Sequence, residues 1–262
     1  MPPNNKPVVK SADRVLDLLE TLAAKGRPLT HSELCVELGI PKSSLSQLAG
    51  NLVERGYLRF TPGPNTYALG ESVSRLVSKY RRGLALLELA QPLTERITRL
   101  TGESSSLNLR RGDLVQRVCG VNSTQSLTYS MTVGELAPMY AVSAGKVLLA
   151  LLDEAELDAY LARTPLNPIT KHTITTVTAL RRELKTVRRE GVAWSVEEYT
   201  PGIVGVAVPV LDATGAPAGA FNISVPSVRD DPERRRRLVA TLQDAALSLH
   251  KDLIAAQGQP PT

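Results

Sequence analysis

Apolar residues at helical spacing open the chain. Val15, Leu18, Leu19 and Leu22 share one face, predicting a helix over about residues 11–24, capped by Ser11 and stopped by Gly26 and Pro28. Thr30 or Ser32 caps a second, short helix through Leu38, and Thr30 with Glu33 three positions on fits a capping box. Gly39 closes that helix, and Pro41 falls in the first turn of a third, where a missing N–H costs nothing. The third helix points Leu45, Leu48, Leu52 and Val53 inward and ends near Gly56. Residues 57–60 and 66–69 then read as two short strands joined by the turn-rich segment TPGPN.

Two further apolar stripes follow. Val73, Leu76 and Val77 predict a helix over about 71–79, ending in the basic cluster Lys79, Arg81 and Arg82. A second helix over 84–100 contains Pro92, a point of interruption. Beyond Gly102 the period shortens. SSSLNLRRGD, LVQRVCGV, GIVGVAVPVLD and APAGAFNISVP alternate or run apolar between Gly and Asp turns, as strands do. Helices are expected at about 144–152, 154–162, 177–190 and 231–256. The pattern predicts an α+β chain in three parts: a winged helix-turn-helix over 1–70, a linker helix over 71–83, and a mixed domain over 84–262 around an antiparallel sheet.

Charge sharpens this division. Residues 1–82 hold 12 of the 31 Lys and Arg but only 7 of the 26 Asp and Glu, so the whole excess of +5 lies in the first third. A basic bias confined to one module suits a phosphate-facing surface. The two cysteines, Cys35 and Cys119, form neither a disulfide framework nor a CxxC zinc site, as expected of a reducing, cytoplasmic setting. Cys35, within SELCVEL, reads as a small core residue. No apolar run reaches the ~18 residues of a spanning helix, so no membrane partner is expected. No cofactor or metal is expected either.

In a helix-turn-helix the second helix enters the major groove and its first residues face base edges. Here that face presents Lys42, Ser43, Ser44, Ser46, Gln47 and Asn51. Gln and Asn can bond adenine bidentately, Ser serves a base or a phosphate, and Lys42 suits a guanine edge or a phosphate. Arg59 and the TPGPN turn are placed for the flanking minor groove or backbone, and Lys6, Lys10 and Arg14 for phosphates. The densest basic run, Arg234–Arg237, follows Asp230, Asp231 and Glu233 and reads as a solvated helix face.

Several ordered motifs carry a wider likeness: ADRVLDLLETLA, LTHSELCVELGIPKSSLSQLAGNLVERGYL and YALG in the first part, then VGELAPMYAVSAGKVLLA, EGVAWSVEEYTPGIVGVAVPVLD and GAFNISVP. From Lys10 to about Ala255 the chain resembles the IclR family of bacterial transcription regulators. The resemblance implies a GAF-like effector-binding domain after the linker. It also implies a homodimer or dimer of dimers on a palindromic double-stranded operator, commonly as a repressor of a catabolic operon. The implied effector is a small organic acid or aromatic compound. Carried over residue by residue, its pocket falls on Ser143, Ala144 and Gly145, on Ser195 and Gly205, and on Asn222 and Ser224. A helix start at Ser143–Gly145 offers free N–H groups to a carboxylate, and Asn222 and Ser224 point the same way on one strand. Gly205 stands where other members have Cys and Asn222 where others have Ser, and the missing side chain at Gly205 predicts a roomier pocket and a ligand bulkier than a two- or three-carbon acid. Tyr129, Met131, Leu136, Met139 and Ile203 are candidates for its apolar lining. The bland alternatives are that Gly145 and Lys146 merely start a helix bearing a surface lysine, and that Asn222 and Ser224 are satisfied within the sheet.

Two other readings compete: an activator of the same architecture and a GAF-like redox enzyme. No GxSxG, Walker loop, HExxH or Rossmann fingerprint occurs, and His31, His172 and His250 are dispersed.

Overall fold

Thr30 shows how closely local sequence sets this fold. In the computed structural model, which describes residues 9–257, its hydroxyl accepts the Glu33 N–H (3.2 Å) while its own N–H donates to Glu33 Oε2 (2.7 Å). This capping box starts α2, His31–Leu38, and Thr30 rather than Ser32 is the cap. These bonds from Thr30 hold the Glu33 carboxyl down at about 2. The preceding helix α1, Lys10–Lys25, has Val9 as its N-cap. Ser11 lies inside its first turn, because the Val9 carbonyl already accepts the Ala12 and Asp13 N–H groups. Gly39, at φ 60°, ends α2 in the left-handed region. Pro41 then caps α3, Lys42–Glu54, from just outside the helix rather than within its first turn.

The wing is a three-stranded antiparallel sheet in the order β1, β3, β2, with β1 at Leu29–Thr30, β2 at Leu58–Thr61 and β3 at Thr66–Leu69. Two residues carry no readable alternation, so β1 is invisible in the sequence; it exists because Leu29 pairs with Tyr67. Leu18, Leu22, Leu34, Leu45, Leu52 and Leu58 form the core of this unit. Cys35 packs against that core half-buried.

The chain divides into two compact units between Gly83 and Leu84. Helix α4 is continuous over Glu71–Thr101, so the two helices expected here are one. Pro92 and Glu88, the residue whose carbonyl would normally accept an N–H from position 92, are both exposed, where the missing bond is cheap. The side chains of Lys79, Arg81 and Arg82 lie outside the described residues.

The second unit is built on a six-stranded antiparallel sheet. Its strands are β4 (Ser104–Arg111), β5 (Leu114–Val121), β6 (Leu136–Pro138), β7 (Ala193–Val196), β8 (Ile203–Leu211) and β9 (Pro217–Pro226). Their spatial order is β6-β5-β4-β9-β8-β7. The period of two sorts side chains onto two cores. Val206, Val208, Phe221 and Ile223 meet the later part of α4 and α8 (Pro232–Gln257). Ala193, Ala207 and Ala220 face α5 (Ser143–Ala150), α6 (Glu154–Arg163) and α7 (Val177–Glu190).

One expectation about charge and one alternative fail here. Arg234 and Arg229 clamp the fully buried Glu103 carboxylate at 2.6–2.8 Å, and Arg235 lies over the Trp194 ring, 4.5 Å from its centroid. Only Arg236 and Arg237 form the solvated face foreseen for the whole run. Lys146 is no surface lysine either. It is fully buried, its Nζ donating to Glu198 Oε1 (2.6 Å), the Trp194 carbonyl (3.0 Å) and Glu183 Oε1 (3.4 Å). Burial pushes the Glu198 carboxyl up, against the pull of Lys146.

Candidate functional site

The first turn of α5 leaves its leading N–H groups without helical partners, and no side chain caps them. Val142, Ser143 and Ala144 at this helix start line a cavity of about 60 Å³ on the α5 face of the sheet. Ser143, Ala144, Ser195, Gly205, Asn222 and Ser224 all line it, from four separate segments of chain. The strand register brings them together, since Gly205 pairs with Ser195 on one side and Ser224 on the other. Asn222 Nδ2 donates to Ser143 Oγ (2.9 Å) and the Val206 carbonyl (3.1 Å), and Ser224 Oγ donates to Asn222 Oδ1 (3.3 Å). These bonds fix the amide with its oxygen toward Ser224. The wall is thus a preorganised set of neutral donors and acceptors, suited to a small polar ligand.

Gly145 does not line the cavity. A Cβ there would stand 2.3 Å from the Met139 backbone, so the glycine lets α5 pass the preceding 3-10 turn, Met139–Ala141. Gly205 also acts differently from the expectation. A Cβ at this position would meet Ser195 Oγ at 2.7 Å and Ser143 Oγ at 2.9 Å. The two hydroxyls fill the room a side chain would take, so the glycine does not enlarge the pocket. At about 60 Å³ it is well under half the roughly 150 Å³ that holds benzene in a protein core. Tyr129 and Ile203 line it as expected. Met131 instead backs Ser224, Leu136 is exposed, and Met139 lies fully in the core.

Sequence reasoning missed Asn108, Arg117, Glu135, Tyr199 and Thr200, all of which line the cavity. Arg117 and Glu135 carry its charge, joined at 2.5 Å. Burial raises the Tyr199 hydroxyl, helped by the nearby negative charge of Glu135. Alternation was the available signal, for Val115 and Arg117 share one face of β5, and Val115 packs in the core behind α5. Among the described residues no group of His, Cys, Asp or Glu could hold a metal ion, and no helix is long and apolar enough to cross a membrane.

In the first unit, α3 buries Leu45, Ala49 and Leu52 and exposes Lys42, Ser43, Ser46, Gln47, Gly50 and Asn51. Ser44 is half-buried and shares the helix face of Gln47 and Asn51. Ser46 is already engaged, donating to the Lys42 carbonyl (2.9 Å) and lying 3.0 Å from His31 Nε2. His31, unassigned from sequence, therefore braces the first turns of the reading helix. Lys10, Arg14 and Arg55 line an open groove with Gln47 and Asn51. Arg59 is exposed on β2, before the wing turn where Asn65 takes φ 51°. Lys6 lies outside the described residues.

A reading helix on one unit and a polar ligand cavity in the other define a ligand-responsive, DNA-binding transcriptional regulator. The comparisons name its lineage. The family described as Bacterial transcriptional regulator IclR C-terminal matches residues 78–251, and the IclR helix-turn-helix domain matches residues 11–62. The chain belongs to the IclR family of transcriptional regulators. It is 28% identical to the acetate operon repressor of Salmonella typhimurium, over 91% of this chain and 88% of that protein. The crystal structure of a transcriptional regulator from Rhodococcus superposes with a TM-score of 0.65 at 30% identity, covering 95% of this chain and 100% of that one. A double mutant of the PobR inducer-binding domain from Acinetobacter, in complex with 3-hydroxybenzoic acid, gives a TM-score of 0.59 at 27% identity, covering 62% of this chain and 96% of that one.

Proposed function

We propose that this chain is a repressor, holding a palindromic operator as a homodimer or dimer of dimers and releasing it when a small carboxylic acid enters the cavity beside α5. The observation that carries this reading is the convergence of the α5 N-terminus, Ser143, Ser195, Asn222 and Ser224 on one cavity that also contains Arg117. Free N–H groups at a helix start and a guanidinium both favour a carboxylate. The acetate operon repressor and the complex with 3-hydroxybenzoic acid lend the acid class support from relatives. Arg117 is already paired with Glu135 in the cavity, so an acid that uses the guanidinium competes with that carboxylate. In the first unit, Gln47 and Asn51 read bases, Lys42, Ser43, Ser44 and Ser46 share base and phosphate contacts, and Arg59 follows the backbone beside the wing.

Fluorescence anisotropy on a duplex from the promoter upstream of the chain's own gene tests this. Binding should fall steeply with salt, and an effective acid among pyruvate, glyoxylate, benzoate and 4-hydroxybenzoate should weaken it at least tenfold. Tighter binding on adding the acid would make the chain an activator. Equal affinity for promoter and random duplex would remove the operator reading.

A further inference from the structure

Among the described residues lining the cavity, only Arg117 and Glu135 are charged. The neutral donors and acceptors of Ser143, Asn222 and Ser224 bond one another or the backbone, so they set shape and polarity. The guanidinium is different. Its side chain is 12% exposed, its Nη1 lies 2.5 Å from Glu135 Oε2 and 3.3 Å from the Thr132 carbonyl, and its buried Nε bonds no described group. A buried guanidinium requires an anion, because desolvation without one costs several kcal/mol. The chain provides that anion itself.

Glu135 is held by its backbone and loose at its tip. The Arg117 N–H donates to the Glu135 carbonyl (3.0 Å), and the Gly134 N–H donates to the Arg117 carbonyl (2.8 Å), which locks the segment alongside β5. The Glu135 side chain is 35% exposed, three times the fraction for Arg117, so its carboxylate can turn into water without breaking those bonds.

We propose that Glu135 is a built-in competitor: it holds Arg117 with its own carboxylate, and an effector's carboxylate binds by taking its place. This rests on the cavity being the effector site. One charge-assisted pair is exchanged for another, so a carboxylate meets little electrostatic penalty, while a neutral isostere cannot satisfy the guanidinium once Glu135 leaves. Glu135 thereby sets both the threshold concentration and the preference for anions. Its departure also widens the cavity, the step a larger acid requires.

Isothermal titration of the full chain with pyruvate and benzoate, and with benzamide as the neutral isostere of benzoate, tests the exchange. Glu135→Gln keeps a hydrogen bond to Arg117 but removes the competing charge. It should bind the better of the two acids about tenfold more tightly or more, equivalent to about 1.4 kcal/mol. Arg117→Gln should lose at least tenfold for the acid and change little for benzamide. The double variant should show no gain over Arg117→Gln. Circular dichroism and thermal unfolding establish that each variant is folded. If the wild-type chain binds an acid and Glu135→Gln binds it equally or more weakly, the competitor reading is overturned and the effector site stands. If Arg117→Gln keeps full affinity, the anchor is overturned in the same way. If neither acid binds the wild-type chain or Glu135→Gln, the assignment of the cavity to a carboxylate effector falls with it.

Discussion

Replacing Lys146 with Met tests the buried charge cluster behind the cavity. Lys146 is fully buried, and its ammonium spans Glu198 at 2.6 Å, the Trp194 carbonyl at 3.0 Å and Glu183 at 3.4 Å. Met keeps nearly the same length and volume, so the change removes a charge rather than creating a cavity. Glu183 is about a third exposed and can turn to water, but the Glu198 side chain is 10% exposed, and its buried Oε2 has no other hydrogen bond among the described residues. One-sided removal of a buried pair costs about 3–5 kcal/mol, and Glu198 can soften this by taking up a proton, so about 3 kcal/mol is expected at neutral pH. For a unit of this size that lowers Tm by roughly 6–12 °C. The pH dependence has a definite sign. Burial already raises the Glu198 carboxyl while Lys146 lowers it, so the variant raises it further. Between the ordinary value of 4.5 and the raised value, the folded chain holds more protons than the unfolded one. Stability therefore falls as pH rises through that window, and the deficit is smallest below its lower edge. Urea unfolding followed by the fluorescence of Trp194, the single tryptophan, measures both effects. Lys146→Met/Glu198→Gln should recover part of the loss. A deficit below about 1 kcal/mol at neutral pH, or one that does not grow with pH, would refute the uncompensated-charge account.

Three further substitutions address reading and sensing. Gln47→Ala should cost about 1–3 kcal/mol on the operator and little on random duplex, since only base contacts carry sequence information; equal losses in anisotropy titrations on both would remove Gln47 from the reading set. Asn222→Leu should abolish the acid response while operator binding persists, because the amide that organises Ser143 and Ser224 is lost; a response surviving in the same assay would move the effector elsewhere. Gly205→Ala forces the Ser195 and Ser143 hydroxyls aside, costing about 1–3 kcal/mol of stability by overpacking and lowering acid affinity by calorimetry. Unchanged affinity would mean that the cavity wall there does not touch the ligand.

Local chemistry explains how much of the first unit was legible. Thr30 and Glu33 form the capping box their spacing announces, Gly39 ends its helix at φ 60°, and the Leu stripe of α3 leaves Gln47 and Asn51 on the outer face. The signals for these elements lie within a few residues of where they act. Pro92 misled because a proline's effect on a helix depends on whether water can reach the freed carbonyl, and exposure is a property of the packed chain. The strand β1 was missed for a similar reason: its two residues are extended only because Tyr67 and Thr66 pair with them.

The sequence by itself determined the helix-turn-helix, the four long strands of the second unit and most of the polar wall of the cavity, but not the short strands β1, β6 and β7. Ser143, Ser195, Gly205, Asn222 and Ser224 were within reach through motif and alternation. Only the tertiary structure decided where charge goes. Lys146, for which the surface was one alternative, is fully buried between Glu198 and Glu183; Arg234 and Arg235 looked solvated and are spent on Glu103, Asp230 and Trp194; Arg117 and Glu135 gave no sign of meeting. Hydrophobic period and capping act within one element and are written in order along the chain. A charge is placed by partners far away in sequence, as Lys146 is by Glu198, and its burial is set by the packing of every element around it.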